Sequence, residues 1–157
     1  MKFGLMLVIL LASQLSFSQT IREKKVKEEM LGRVDTLIQF VEEGQEALKK
    51  EEMSEVCGRN EDLFKLLPDH LVAIGTRMNL FDPKVIKMEH ETKSTLIEMH
   101  QHKNICHSSN VVGENLDLKK TKKKFKEMLS MFEKQKKRIK KSDTGYENTY
   151  NYWYEFH

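Results

Sequence analysis

Hydrophobic residues recur at alternating steps of three and four along four separate stretches of this 157-residue chain, which is the periodicity of an amphipathic α-helix. No stretch of the sequence has the strict alternation of a β-strand. The four stripes are Met30, Val34, Leu37, Val41, Gly44 and Leu48; Leu63, Leu67, Leu71, Ile74 and Met78; Val85, Met88, Thr92, Leu96 and Met99; and Leu118, Lys122, Phe125, Leu129, Phe132, Lys136 and Ile139. The pattern predicts an all-α fold, a four-helix bundle with up-down-up-down topology.

Glycine and proline positions refine the boundaries of these helices. The predicted helices cover about residues 21–53, 61–78, 83–103 and 116–141. Gly58 is expected to end the first helix, and Gly44 inside it predicts a bend or a close contact between helices. Pro68 lacks an N–H, so we expect a kink or a break in the second helix. Asp82 followed by Pro83 is a typical helix start, with Asp at the cap and Pro in the first turn.

The first 18 residues have the features of a secretory signal peptide. A cationic start precedes an apolar run over residues 3–12, and small residues at Ser16 and Ser18 predict cleavage after Ser18. An uncleaved membrane anchor is the alternative, but the apolar run is short for a bilayer span. We therefore expect a secreted, extracellular protein with a bundle domain at 19–141 and an acidic, aromatic tail at 142–157.

Two cysteines, Cys57 and Cys106, follow the predicted signal peptide, and an exported pair is typical of one disulfide. Cys57 lies where the first predicted helix ends, and Cys106 lies where the third ends. In an up-down-up-down bundle those ends share a pole, so the pairing is geometrically natural. The two positions are 49 residues apart, and closing a loop of that length stabilises a fold by about 4 kcal/mol.

Basic residues are concentrated in the fourth predicted helix. Residues 116–141 contain 12 Lys and Arg against 3 Asp and Glu, whereas residues 20–56 and 142–157 each have a net charge of −3. The polyanion-binding candidates are Lys119, Lys120, Lys123, Lys124, Lys137 and Arg138. Outside the cell the polyanions are glycosaminoglycans and anionic membrane surfaces rather than nucleic acid. The alternative is a solvated helix face whose lysines balance the acidic segments.

The tail is unusually aromatic, with six aromatic residues between Tyr146 and Phe156. Tyrosine and tryptophan are enriched in binding anchors because they bury a large area at a low entropic cost. The candidate partner-contact residues are Tyr150, Tyr152, Trp153 and Tyr154. An extracellular protein or receptor is the expected partner. In the alternative interpretation the tail is structural and folds back over the bundle, with its aromatics in a groove and its acids against the fourth helix.

The sequence has no motif of a known catalytic or metal site. Glycine-rich phosphate loops, HExxH and GxSxG are all missing. His100 and His102 are two residues apart and would point to different sides of a helix, so no metal or cofactor is expected. We therefore expect a secreted, non-enzymatic binding protein that acts through protein–protein contacts. The alternatives are a polyanion- or membrane-binding effector of the host-defence type, and a carrier with a ligand inside the bundle.

Overall fold

The computed structural model describes residues 2–107, 118–142 and 144, and it describes the side chains of residues 21–100, 118–142 and 144. Four helices account for nearly all of this part of the chain: α1 (Lys2–Lys49), α2 (Met53–Arg77), α3 (Pro83–His107) and α4 (Leu118–Lys141). No strand occurs in the described ranges, although Met78 and Thr144 form an isolated antiparallel β-bridge. The all-α prediction is confirmed.

The first helix begins earlier and ends earlier than predicted. Residues 2–18, the predicted signal peptide, continue directly into the rest of α1, and cleavage after Ser18 stays a prediction. The helix ends at Lys49, and Glu51 has a left-handed backbone with φ of 59°. This reversal lets α2 begin at Met53. The expected stop at Gly58 was therefore wrong, because the turn falls in the Lys- and Glu-rich stretch before it.

The expected break at Pro68 does not occur, since α2 is assigned as one helix from Met53 to Arg77. Proline removes one hydrogen bond of the helix. Leu63, Leu67 and Ile74, on both sides of it, are fully buried in the core. Tertiary packing of one apolar face decides whether a helix in a protein persists, and here it keeps both halves of α2 helical.

The predicted start of α3 is confirmed. Asp82 precedes the helix, and its Oδ1 accepts a hydrogen bond of 2.8 Å from the backbone N–H of Lys84. The backbone carbonyl of Asp82 accepts from Val85 and Ile86. A second contact joins this end of the bundle to α4, because Nζ of Lys84 donates to the carbonyl of Lys141 at 3.1 Å.

The helices form a closed ring in which α1 and α3 each pack between α2 and α4. Contacts between neighbours run in opposite numerical order, so adjacent helices are antiparallel. These contacts are Glu29–Arg77 and Glu43–Arg59 between α1 and α2, Asp35–Lys136 and Gly44–Phe125 between α1 and α4, Phe64–His100 between α2 and α3, and Glu91–Arg138 and Thr95–Met131 between α3 and α4. The arrangement is the predicted up-down-up-down bundle.

The predicted stripes supply most of the core. The fully buried large side chains include Met30, Leu37, Leu63, Leu67, Ile74, Met88, Phe125, Phe132 and Ile139. The stripe of α4 was partly wrong, because Leu118 and Lys122 are exposed while Met128 and Gln135 are buried. The buried face of α4 is thus rotated slightly from the predicted one.

Gly44 of α1 lies in close contact with α4. A Cβ atom on Gly44 would lie 2.7 Å from two ring carbons of Phe125, which is closer than real contacts allow. Of the two outcomes predicted for Gly44, the close helix contact is the one observed. The glycine makes room for the aromatic ring that anchors α4 in the core.

A buried polar cluster links three helices inside this core. His70 of α2 is 1% exposed, and its Nε2 lies 3.0 Å from Oε1 of Gln135 in α4. The side-chain amide of Gln135 donates to Oγ1 of Thr92 in α3 at 2.9 Å. The stripes in the sequence did not include His70 or Gln135.

Candidate functional site

The outer side of α4 presents a row of exposed lysines. Lys119, Lys122, Lys126, Lys137 and Lys140 are all exposed and follow one another at steps of three, four, eleven and three residues. Since residues at these spacings lie along one side of a helix, the five side chains form a row, called here the lysine face, which the exposed Glu133 interrupts between Lys126 and Lys137. Over its length α4 rises about 32 Å, at roughly 1.5 Å per residue.

The core fixes the direction in which this face points. Phe125, Phe132 and Ile139 are at most 1% exposed and form the buried side of α4. Burying such large apolar side chains stabilises the fold by about 1.5–3 kcal/mol each, so α4 cannot rotate without losing them. The lysine face is therefore held in solvent by the packing of the bundle.

Other cations of α4 form ion pairs, but those of the lysine face do not. Nζ of Lys136 lies 2.6 Å from Oδ1 of Asp35 in α1, and Arg138 pairs with Glu91 in α3. Lys123 pairs within the helix with Glu127 at 3.7 Å. Among the described residues, none of the five lysines of the lysine face has an acidic partner within ion-pair distance. The proposed balance between the lysines of α4 and the acids of α1 is thus limited to one direct pair in the described ranges.

A groove with a volume of about 480 Å³ lies beside this face, between α3 and α4. Its floor is apolar and rich in methionine, comprising Val56, Met99, Phe125, Met128 and Met131. Lys120, Lys124, Lys134 and Glu127 line it on the α4 side, and Glu91 and Glu98 line it on the α3 side. We call this feature the α3–α4 groove. Its size and apolar floor are typical of a binding pocket.

Lys124 is the most enclosed lysine of the groove. Burial lowers the pKa of its ammonium, while the carboxylate of Glu98 opposes that effect and Lys120 adds to it. A partly desolvated cation interacts more strongly with an anion than one in open water. Lys124 is therefore the groove residue best suited to hold a carboxylate that approaches from outside.

The structure divides the six predicted polyanion candidates into three groups. Lys119, Lys123 and Lys137 point outward, Lys120 and Lys124 line the groove, and Arg138 is engaged with Glu91. Lys122, Lys126 and Lys140 belong to the lysine face but were not among the candidates. Their spacing of three and seven from Lys119, and of three from Lys137, was the signal that could have identified them.

The predicted tail contacts Tyr150, Tyr152, Trp153 and Tyr154 lie outside the described residues. Thr144 is the described residue nearest to them, and its β-bridge to Met78 places the start of the tail beside the end of α2.

Cys57 lies in the second turn of α2, not at the end of α1 as predicted. Cys106 lies in the last turn of α3, so the two backbone positions are at the same pole, as expected. No described cysteine is a free thiol. The side chain of Cys106 is outside the described set, and the Cys57–Cys106 pairing stays a prediction.

No group of three or more His, Cys, Asp or Glu side chains in the described part of the chain is arranged to hold a metal ion. His100 instead stacks on Phe64 with ring centroids 6.0 Å apart. No helix within the described ranges combines the length and apolar content that crossing a bilayer requires.

Comparison with known protein families, with curated proteins and with solved structures finds no match to this chain.

Proposed function

We propose that this protein is a secreted, non-enzymatic helical binding protein that binds an extended polyanion, of the heparan-type glycosaminoglycan class, through the lysine face. The observation behind the proposal is the exposure of five lysines along one side of α4 without acidic partners among the described residues. A fold of this kind does not imply a function by itself, so the proposal depends on this surface.

The size of the expected interaction follows from simple electrostatics. A lysine near an anionic surface contributes about 1 kcal/mol, and the effect is screened beyond a Debye length of about 8 Å at physiological salt. Five lysines on a rigid strip are sufficient for a salt-sensitive interaction with a linear polyanion that lies along the helix.

A polysaccharide fits this surface better than a lipid bilayer. Helices that lie in a membrane interface insert an apolar face between the lipids. The apolar face of α4 is already buried, with Phe125, Phe132 and Ile139 in the core. Anionic vesicles are therefore expected to bind more weakly than heparin at the same salt concentration.

Elution from immobilised heparin tests the proposal. The test variant replaces Lys119, Lys122, Lys126 and Lys137 with Gln. The matched control replaces four exposed lysines elsewhere, Lys25, Lys50, Lys87 and Lys93, with Gln, so that both variants lose the same charge. We expect the parent and the control to elute above physiological salt and the lysine-face variant to elute below it.

Equal loss of binding in both variants would mean that net charge alone attracts the protein to heparin, with no dedicated site. Elution of the parent at or below physiological salt would reduce the lysine face to a solvated surface. Either result would contradict the proposal.

Binding of an extracellular protein through Tyr150, Tyr152, Trp153 and Tyr154 remains a separate hypothesis. It predicts that deletion of the tail, residues 142–157, removes partner binding while the bundle stays folded. Unfolding of the truncated chain would instead assign the tail a structural role.

A further inference from the structure

We propose that the C-terminal tail, residues 145–157, folds back into the α3–α4 groove of its own chain, with its aromatic side chains on the methionine-rich floor and its carboxylates at the lysine rim. This occupant goes beyond the proposed polyanion site, because it uses the groove and leaves the five lysines of the lysine face in solvent.

The tail leaves the bundle at the correct end of the groove. Thr144 forms a β-bridge with Met78, the residue that follows α2, and the backbone of Lys141 is held by Lys84 at the start of α3. The ends of α2 and α4 and the start of α3 therefore meet at one pole. Counted along the helices from this pole, the first groove residues are His90 of α3 and Lys134 of α4.

The tail is also long enough. Thirteen residues follow Thr144, and in an extended conformation they span up to about 43 Å. The distance along α4 from Lys141 to Lys120, at the far end of the groove, is about 32 Å at roughly 1.5 Å per residue. Trp153, nine residues after Thr144, can reach about 30 Å and thus the level of Lys124.

The chemistry of the two surfaces is complementary. Met99, Met128 and Met131 line the groove, and thioether sulfurs make favourable contacts with aromatic rings. Tyrosine and tryptophan also have a polar group, which can stay in contact with water at the edge of an open groove while the ring is buried. Six aromatic residues in the tail match an open apolar floor better than they match water.

The charges agree with the same arrangement. The tail contains Glu147 and Glu155 and no Lys or Arg, whereas the α4 side of the groove has Lys120, Lys124 and Lys134. On the α3 side, Glu91 is already paired with Arg138 and Glu98 acts on Lys124. Glu127 also lines the α4 wall, where it pairs with Lys123. Three lysines against this one carboxylate still make the α4 wall the more cationic of the two, so the tail acids are expected along it.

Intrinsic fluorescence gives a direct test, because Trp153 is the single tryptophan of the chain and all four tyrosines are in the tail. In the purified full chain we expect Trp153 emission to be blue-shifted, and its acrylamide quenching to be several-fold weaker, compared with a synthetic peptide of residues 143–157. Lys124→Glu is expected to lose most of this shift. Lys137→Glu is the matched control, with the same charge change on the outer side of the same helix, and is expected to retain it.

A second groove variant tests whether the loss of the blue shift comes from the groove itself rather than from a change in folding. Ser94 is exposed on the α3 wall of the groove, so Ser94→Phe fills the groove without disturbing the core and is also expected to release Trp153. Helicity and the unfolding midpoint of each variant are checked by circular dichroism.

Trp153 emission identical to that of the peptide would overturn the proposal. A blue shift that survives both groove variants, or one that grows with protein concentration, would place the tail elsewhere or on a second copy and would equally overturn it. An apolar ligand that co-purifies while Trp153 stays solvent-exposed would assign the groove to a carrier function instead.

Discussion

His70 is a histidine almost fully buried in the core, with 1% of its surface exposed. Gln135 uses its amide to donate to Thr92, so its carbonyl oxygen faces His70 and must accept from Nε2–H of that ring. The other nitrogen, Nδ1, is buried and has no hydrogen-bond partner among the described residues. Burial lowers the pKa of His70 from its usual 6.5, the hydrogen bond to Gln135 opposes the shift, and the charge of Arg33 adds to it. The folded state therefore holds this histidine in its neutral form.

Acid is expected to destabilise the bundle through His70. Above pH 6.5 the ring is neutral in both states, but below that value the unfolded chain binds a proton that the folded chain resists. Stability is thus lost as the pH falls from about 6.5 toward the lowered pKa of the folded state, with a slope of at most about 1.4 kcal/mol per pH unit. The measurement is the free energy of urea unfolding at pH 7.5 and 5.5.

His70→Gln is the informative variant for this prediction, because an amide can still donate to Gln135 but cannot titrate. We expect its stability to change less than that of the parent between the two pH values. An identical change in both proteins would show that other groups, such as surface carboxylates, cause the pH dependence.

At the scale of the elements, the contact between α1 and α4 depends on a missing side chain. Phe125 fills the space beside Gly44, and the ring anchors α4 at the level of the α3–α4 groove. Gly32, three turns earlier in the same helix, has no atom within 4 Å of the place where a Cβ would lie. Gly32 and Gly44 thus both lie inside a helix but have opposite surroundings.

Alanine at these two positions is expected to have opposite effects. Gly44→Ala should destabilise the protein by about 1–3 kcal/mol, because Phe125 must move out of a packed core. Gly32→Ala should stabilise it by about 0.4–1 kcal/mol, since alanine reduces the entropy of the unfolded chain. Thermal or urea unfolding measures both. Equal effects of the two variants would argue against the close contact between α1 and α4.

At the scale of the whole molecule, the positive charge of α4 is divided between the exposed lysine face and the α3–α4 groove, which has both acidic and basic side chains. The cations of α4 fall into three sets, which are the lysine face, the groove lysines and the residues paired with α1 and α3. Because a single helix contributes to all three, a change in the rotation of α4 would affect each of them together. The bundle core thus determines which lysines are available to a ligand.

The predicted Cys57–Cys106 disulfide would brace this bundle at one pole. We expect the purified, oxidised protein to incorporate no iodoacetamide under denaturing conditions and to gain two adducts after reduction. Reduction should lower the free energy of unfolding by about 4 kcal/mol, the value for a loop of this length. Two alkylatable cysteines before reduction would exclude the disulfide.

The sequence determined the number of helices, most of the core and the antiparallel order. These features follow from a periodicity of three and four, because each amphipathic stretch has one apolar side to bury and short connections force neighbours to run in opposite directions. The start of α3 at Asp82–Pro83 was equally local, since capping depends on a few adjacent residues.

The remaining features needed the tertiary structure. Pro68 stays inside a helix because core packing on both sides of it outweighs one lost hydrogen bond. Gly44 is required only because the ring of Phe125, 81 positions away in the chain, packs against it. Lys119 and Lys120 are adjacent in sequence, yet one belongs to the lysine face and the other to the groove. Composition and spacing determine which residues can form the core and which can form a charged surface. The rotation of each helix against its neighbours then decides which residues each side chain contacts. That rotation could not be predicted from the sequence, because it is set by contacts among residues far apart in the chain.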